Sequence, residues 1–397
     1  MIALFLSPIY ILLCLYILRW GIRWMSSCHH FFQRLCTRVL IIILYSIIAL
    51  SILIGFLLPN CAVQRVFKTI GNYWLGTLLY IIQVTVIADL IRVILKRINF
   101  PHKEKLFSKR GFVVSGALCI GLIAALSLDG IYGASVIRTT DYQVAIHKTA
   151  GDLKELKIAL VSDLHMGYNI GTKHIADMVE KINATDPDLV VIAGDIFDNE
   201  YEALDDPAKL AEILSGIKSR YGVYACYGNH DIEEKILAGF TFSSKKKKTS
   251  DPRMDQLLED ANIKLLRDEG VLIDDSFYLY GRPDYRIPGR GISERKTPEE
   301  LTASMDSAKP IIVIDHEPKE LQELSDAGVD LDLSGHTHDG QMFPGNLTIK
   351  LMWENACGYL KKGNMHSIVT SGVGVFGPKM RVGTKNEVCN ITVTFDK

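Results

Sequence analysis

This sequence has no excess of either charge. Forty-four lysines and arginines face 45 acids over 397 residues, a formal net charge of -1. Bulk electrostatics therefore favour no particular partner, and a basic nucleic-acid footprint is excluded. Paired cysteines are missing too. The eight cysteines form no CxxC and no spacing of a zinc finger or a disulfide framework, so they read as buried or lipid-facing thiols. No internal repeat occurs. The only biased tract is the lysine run at 245–248, which reads as a solvated loop, with a patch for anionic head groups or a phosphate substrate as the alternative. No positive charge precedes the first apolar run, so a retained span is expected there rather than a cleavable leader.

Long apolar runs are what the first third does have. They cover about 2–18, 39–58, 73–91 and 112–128, each near the ~20 residues that cross hydrocarbon as a helix. Residues 1–128 therefore read as an all-α transmembrane region of four helices. The third run carries Asp89 one turn from Arg92, which reads as a local ion pair at the interface. The loop after the first run holds Arg19, Arg23, Arg34 and Arg38 without an acid. The loop after the third holds seven basic residues against Glu104. Both loops are expected in the cytoplasm. Four spans then leave the two termini, and the polar domain with them, on the outside of a multi-pass cell-membrane protein.

Residues 129–143 read as a linker, and from 144 to 397 the texture is soluble α/β. Apolar runs at 157–162, 189–193 and 222–227 alternate with helical patterns at 172–184 and 207–219, which implies parallel pairing. A helix is expected at 254–261. Runs at 263–267, 271–273 and 277–280 look like strands of a second sheet. A helix at 298–305 and strands at 310–314, 329–333, 366–370 and 388–395 complete the domain.

Five polar clusters follow apolar strands. They are Asp163-Leu164-His165, Gly194-Asp195 with Asp198, Gly228-Asn229-His230-Asp231, His316, and Gly335-His336-Thr337-His338. Ligands gather beyond the carboxyl ends of strands in open α/β sheets, so the clusters can converge on one edge. Singly, each is explained by turns, caps or a hydrogen-bonded histidine. Together they supply imidazoles, carboxylates and an amide suited to metal ligation. A mixed N/O set suits manganese, iron or zinc better than calcium.

This order of clusters resembles calcineurin-like metallophosphoesterases, over about 157–341. The tail Ser371-Gly372-Val373-Gly374-Val375-Phe376-Gly377-Pro378, with Arg381-Val382-Gly383-Thr384, resembles a bacterial, membrane-attached, phosphodiesterase-type subgroup. The resemblance implies a two-sheet sandwich flanked by helices, and two divalent metal ions. By it, Asp163, His165 and His338 hold one ion, Asn229, His316 and His336 the other, and Asp195 bridges them. His230 would protonate the leaving oxygen or stabilise charge, Asp231 would orient His230, and Asp198 would sit nearby. The implied activity is phosphodiester, phosphomonoester or pyrophosphate hydrolysis by a metal-bridging hydroxide. Membrane tethering points to a lipid- or envelope-linked substrate. Two alternatives stand: a UDP-2,3-diacylglucosamine-type pyrophosphatase of lipid A synthesis, which the outward topology disfavours, and a non-catalytic metal-binding membrane sensor.

Overall fold

The computed structural model describes residues 2–233, 236–237, 240–241, 250–287, 292 and 294–396. The lysine run at 245–248 lies outside the described residues. The chain divides into two compact units. One is Met1–Ile131 with Ile236–Phe242 and Gly377–Met380; the other is Tyr132–Lys235, Ser243–Phe376 and Arg381–Lys397.

The first unit is built of helices α1 (Ile2–Cys28), α2 (Leu35–Leu57), α3 (Ala62–Arg97), the short α4 (Lys103–Phe107) and α5 (Lys109–Gly133). Four of the five are long and apolar enough to cross a membrane. These four outrun the apolar stretches that announce them, because flanking polar residues continue each helix. Leucines and isoleucines stay exposed around α2 and α5, as suits a lipid surface. Polar groups fasten the helices together. Trp74 Nε1 donates to Tyr10 Oη (2.8 Å), Tyr10 Oη to the Ala49 carbonyl (2.6 Å) and Tyr45 Oη to the Cys14 carbonyl (2.9 Å). In lipid such bonds and close packing replace the hydrophobic drive. The expected Asp89–Arg92 pair gives way to a tertiary one. Asp89 accepts from the Tyr16 hydroxyl of α1, which reaches it across the helix interface.

In the second unit the elements run β1 (Ile137–Thr149), β2 (Glu155–Val161), α6 (Thr172–Ala184), β3 (Leu189–Ala193), α7 (Pro207–Ser215) and β4 (Val223–Cys226). A small hairpin, β5 (Ile236–Leu237) and β6 (Phe240–Thr241), falls in the first unit. Then come α8 (Pro252–Asp260), β7 (Ile263–Leu265), β8 (Glu269–Ile273), β9 (Phe277–Gly281), α9 (Pro298–Thr302), β10 (Ile311–Ile314), α10 (Leu321–Asp326), β11 (Leu331–Ser334), β12 (Gly358–Lys362), β13 (Met365–Val369) and β14 (Asn386–Asp396). They make two six-stranded sheets, ordered β1-β14-β2-β3-β4-β7 and β12-β13-β11-β10-β9-β8.

Alternation along the strands explains the layering. Leu156, Ile158 and Leu160 of β2 face the second sheet's Phe277, Leu279, Ile312, Ile314 and Leu333. Ala159 and Val161 turn the other way, onto Ile175, Met178 and Ile182 of α6. On the far side, Leu301, Leu321 and Leu324 of α9 and α10 cover Ile311 and Val313. The result is a sandwich of two sheets between helical layers, as the family resemblance implied.

Two expectations are corrected here. Residues 129–143 are not a linker: α5 runs to Gly133, and Ile137 begins a strand paired in parallel with β14 from Ile137↔Asn386 onward. An edge strand need bury only some of its side chains, here Ile137, Val144 and Ile146, so its exposed polar residues hid it. Residues 263–265 belong to the first sheet, not the second. Val223 of β4 pairs with Ile263, and the chain changes sheet only after Leu266.

Asp332 of β11 is wholly buried. Its Oδ2 accepts from Ser334 (3.1 Å) and Ser367 (3.0 Å). Burial, then the charge of Asp315, push its carboxyl up to about 7. The unfolded chain releases this proton near pH 4 and the folded one keeps it to about 7, so stability falls as pH rises through that window. Asp332→Asn lacks that titration. Its melting temperature should exceed the wild type's by more at pH 8 than at pH 5; an equal difference at both would remove Asp332 as the cause.

Candidate metal centre

Parallel pairing lines up the carboxyl ends of β2, β3, β4, β10 and β11, and each strand ends in one of the polar clusters. Backbone bonds lock the loops together. Asp163 N donates to the Gly194 carbonyl (3.0 Å), His165 N to that of Asp195 (3.0 Å) and Gly335 N to that of His316 (3.1 Å). Five of the converging residues have left-handed backbone: Asp163 (φ 52°), His165 (φ 45°), Asp195 (φ 50°), His336 (φ 72°) and His338 (φ 51°). Each such conformation costs about 1–3 kcal/mol for a non-glycine residue, so five together mark a place where geometry is imposed by surrounding contacts. Gly335 shows how tight the packing is. A β-carbon there would fall onto the Ser162 hydroxyl and the Asp163 carboxylate.

Among the described residues the side chains meet in three groups. One of them is His165, Asp198 and His230, which shares His165 with the first of the two that follow. Asp163, His165 and His338 form the first; Asp195, His316 and His336 form the second. In the first, His165 Nε2 lies 3.1 Å from His338 Nε2, and His338 Nε2 lies 3.4 Å from Asp163 Oδ1. In the second, His316 Nε2 stands 3.1 Å from both Asp195 Oδ2 and His336 Nδ1, and 3.2 Å from Asn229 Oδ1. Asp195 Oδ2 also lies 3.7 Å from His165 Nε2, so one carboxylate oxygen serves both groups. Ligands on metal bonds of about 2.0–2.2 Å stand roughly 3–3.4 Å apart, as these do. Two ring nitrogens facing each other at 3.1 Å repel unless a proton or cation lies between them. The donor set therefore fits two divalent cations.

The seven expected ligands are thus brought together. Ring orientation comes from outside the clusters. His316 Nδ1 donates to the Ala193 carbonyl (2.9 Å), which frees Nε2. His336 Nε2 faces Glu317 Oε1 (3.3 Å), which frees Nδ1. A carboxylate behind a histidine fixes its tautomer in this way and raises its basicity. Asp198 Oδ1 stands 3.7 Å from His165 Nδ1, close enough to act by charge but too far for a hydrogen bond. Arg381, wholly buried, donates to the carbonyls of His338 (3.1 Å), Ser371 (2.6 Å) and Gly374 (2.8 Å), tying the tail to the centre. Asp315, just before His316, is gripped by the buried Arg282 (3.0 Å) and Arg295 (2.9 Å). Removing one partner of such a buried pair costs about 3–5 kcal/mol, so this grip fixes the end of β10.

The electrostatics favour the ligand form at Asp195, His336 and His338. At His165 and His316 burial opposes the charged form, but the carboxylates of Asp198 and Asp195 outweigh it and raise both rings, so a cation there must displace a proton. Burial raises the Asp195 carboxyl, but the charges of His316 and His230 outweigh it and hold it well below the usual carboxylate range. Burial pushes His336 down to about 3 and lowers His338, so both rings are neutral at pH 7 and free to bind a cation.

His230 stands beside the first group. Its ring is 5.1 Å from that of His165 and 4.5 Å from that of Phe376. Its partner is not the expected one. Asp231 turns away: Oδ1 accepts from Phe197 N (2.8 Å) and Oδ2 from Gly228 N (2.7 Å), so it fastens the loop and does not orient the ring. Consecutive side chains in a turn diverge, which is why adjacency misled. The ring's Nδ1 instead donates to Asn199 Oδ1. Asn199 also takes the His230 carbonyl on its backbone N–H (3.1 Å) and donates Nδ2 to the Ile232 carbonyl (2.8 Å). Asn199, Glu317 and Phe376 were missed as functional residues. Only the proximity of Asn199 to Asp195 and of Glu317 to His316 in the sequence hinted at the first two.

Comparison with known proteins points to one family. The model of the calcineurin-like phosphoesterase family matches residues 156–340. A zebrafish (Danio rerio) "Transmembrane protein with metallophosphoesterase domain" is 30% identical over 288 residues, covering 70% of this chain and 62% of that protein. Its cattle (Bos taurus) namesake is 27% identical over 300 residues, covering 71% and 63%. An uncharacterized metallophosphoesterase of Helicobacter pylori is 28% identical over 300 residues, covering 74% and 73%. The chain spans about three fifths of the length of the first two.

Proposed function

We propose, from the premise that residues 156–340 are a calcineurin-like phosphoesterase domain, that this chain is a membrane-anchored, metal-dependent phosphoric ester hydrolase. The observation that carries the reading is the doubly used Asp195 carboxylate between two groups of imidazoles. Asp163, His165 and His338 would hold one divalent cation, Asn229, His316 and His336 the other, with Asp195 common to both. When bound, such a pair supplies Lewis acidity toward phosphoryl oxygens and acidifies a water.

The chain's own groups do the rest. His230 stands next to the first group, steadied by Asn199, and leaves Nε2 free to carry a proton to the departing oxygen. Burial, with the charges of His165 and His316, disfavours its charged form against the pull of Asp195 and Asp198. A bound phosphoester supplies the negative charge that burial withholds, and so favours the imidazolium when it is needed. Phe376 closes one side of the His230 ring and limits water there. Only Ala134, Ser135 and Val136 separate α5 from β1. Membrane anchoring supports as substrate a lipid- or envelope-linked phosphodiester, monoester or pyrophosphate, met outside the cytoplasm.

The test uses the full chain in detergent. It should hydrolyse bis-p-nitrophenyl phosphate when loaded with manganese, iron or zinc, and lose that activity with EDTA and regain it on metal return. No turnover with any of the three, in protein that binds two metal equivalents, would leave a metal-binding sensor instead. A reporter fused after Lys397 would read sidedness, and a cytoplasmic signal would favour the nucleotide-linked lipid A precursor as substrate.

A further inference from the structure

The helical unit contains a crevice that the phosphoesterase reading does not use. It has a volume of about 700 Å³ and lies among α1, α2 and α5. Arg19 and Arg23 of α1, Arg38 of α2 and Lys109 of α5 line it, and no acid does. Along the chain the first acid is Asp89, which accepts from Tyr16, and the next is Glu104, which is not among the lining residues. Arg23 lies over the Phe112 ring (5.4 Å), a contact that leaves its charge intact. Four cations from three helices thus share one hollow with no counter-ion among the described residues.

The wall of the crevice has a direction. The α1 residues that line it are 15, 18, 19, 22, 23, 26 and 27, one continuous face of a helix. Leu15 and Leu18 occupy one end of that face, Ser26 and Ser27 the other, and the arginines lie between. The face spans about 16–18 Å at 1.5 Å per residue, the depth over which a bilayer passes from acyl chain to head group. The polar end is built. Gln33 Nε2 donates to the Ser26 carbonyl (3.0 Å), Ser26 Oγ to the Phe32 carbonyl (3.3 Å), and Arg38 Nε to the same Phe32 carbonyl (3.4 Å). Orientation of the chain in the bilayer accounts for basic residues in this loop, but not for their convergence on a hollow with an apolar floor.

We propose that this crevice binds one anionic glycerophospholipid, its phosphate held by Arg19, Arg23, Arg38 and Lys109 and its acyl chains lying along Leu15, Leu18 and Ile22. Basic pockets between membrane helices suit such head groups, and each basic side chain near a bilayer surface is worth about a fivefold change in affinity.

The experiment is native mass spectrometry of the full chain in detergent, titrated with phosphatidylglycerol, phosphatidylcholine or inorganic phosphate. One phosphatidylglycerol per chain should be retained at least about tenfold better than phosphatidylcholine, and phosphate should not displace it. Arg19→Gln/Arg23→Gln should abolish the preference. Leu18→Trp, which fills the apolar floor and leaves every charge, should lower retention of both lipids. A circular dichroism spectrum and melt like the wild type's would qualify each variant as folded. Equal retention of the two lipids by the wild type, displacement by phosphate alone, or wild-type retention in a folded variant would overturn the proposal.

Discussion

Asp195→Asn should lower bis-p-nitrophenyl phosphate hydrolysis by at least about 10³-fold, because charge stabilisation worth several kcal/mol rests on two cations held at one carboxylate. The amide keeps the shape of the side chain and its bond from His230 N (2.8 Å). It loses the negative charge that faces His316 and His165. Two cations would then repel each other without a shared counter-charge, and metal content should fall from two toward one per chain. Steady-state kinetics with metal analysis on the same sample reads both effects. A variant with two metals and activity within tenfold of wild type would sink the bridging assignment.

His230→Ala should cost about 10²–10⁴-fold, the usual weight of a positioned proton donor. The loss should depend on the leaving group. p-Nitrophenolate departs without help, so a p-nitrophenyl ester should lose least, and an alkyl phosphodiester most. Metal content should not change if His230 carries the proton; a fall in metal content would make it a ligand instead, in the group it forms with His165 and Asp198. Asn199→Ala should reproduce part of the effect, because it frees the ring that Asn199 fixes; Asp231→Asn should act on stability instead. If the loss from His230→Ala is the same for good and poor leaving groups, the ring stabilises charge or shape and carries no proton.

These outcomes bear on what could be read from residue order. The strands before the clusters were legible because a strand buried on both faces is an unbroken apolar run, as in Val190-Val191-Ile192-Ala193. The ligands were legible because each follows such a run directly. The orienting groups were not. Glu317 meets His336 across the join between β10 and β11, and Asn199 meets His230 from a different loop, contacts that exist only once the sheets are assembled. The edge strand β1 escaped because it is half polar. β7 was given to the wrong sheet because its three residues carry no sign of which neighbour they pair with.

The length of α3 has a bearing on where the protein can reside. Its 36 residues make a rod of about 54 Å. From Arg65 to Arg92 is 27 residues, or about 40 Å, close to a bilayer's full width with its head groups. Cationic collars so spaced act as a gauge: a thinner membrane must tilt the rod, a thicker one must draw an arginine toward hydrocarbon. Membranes of unequal thickness in one cell should therefore not hold this chain equally.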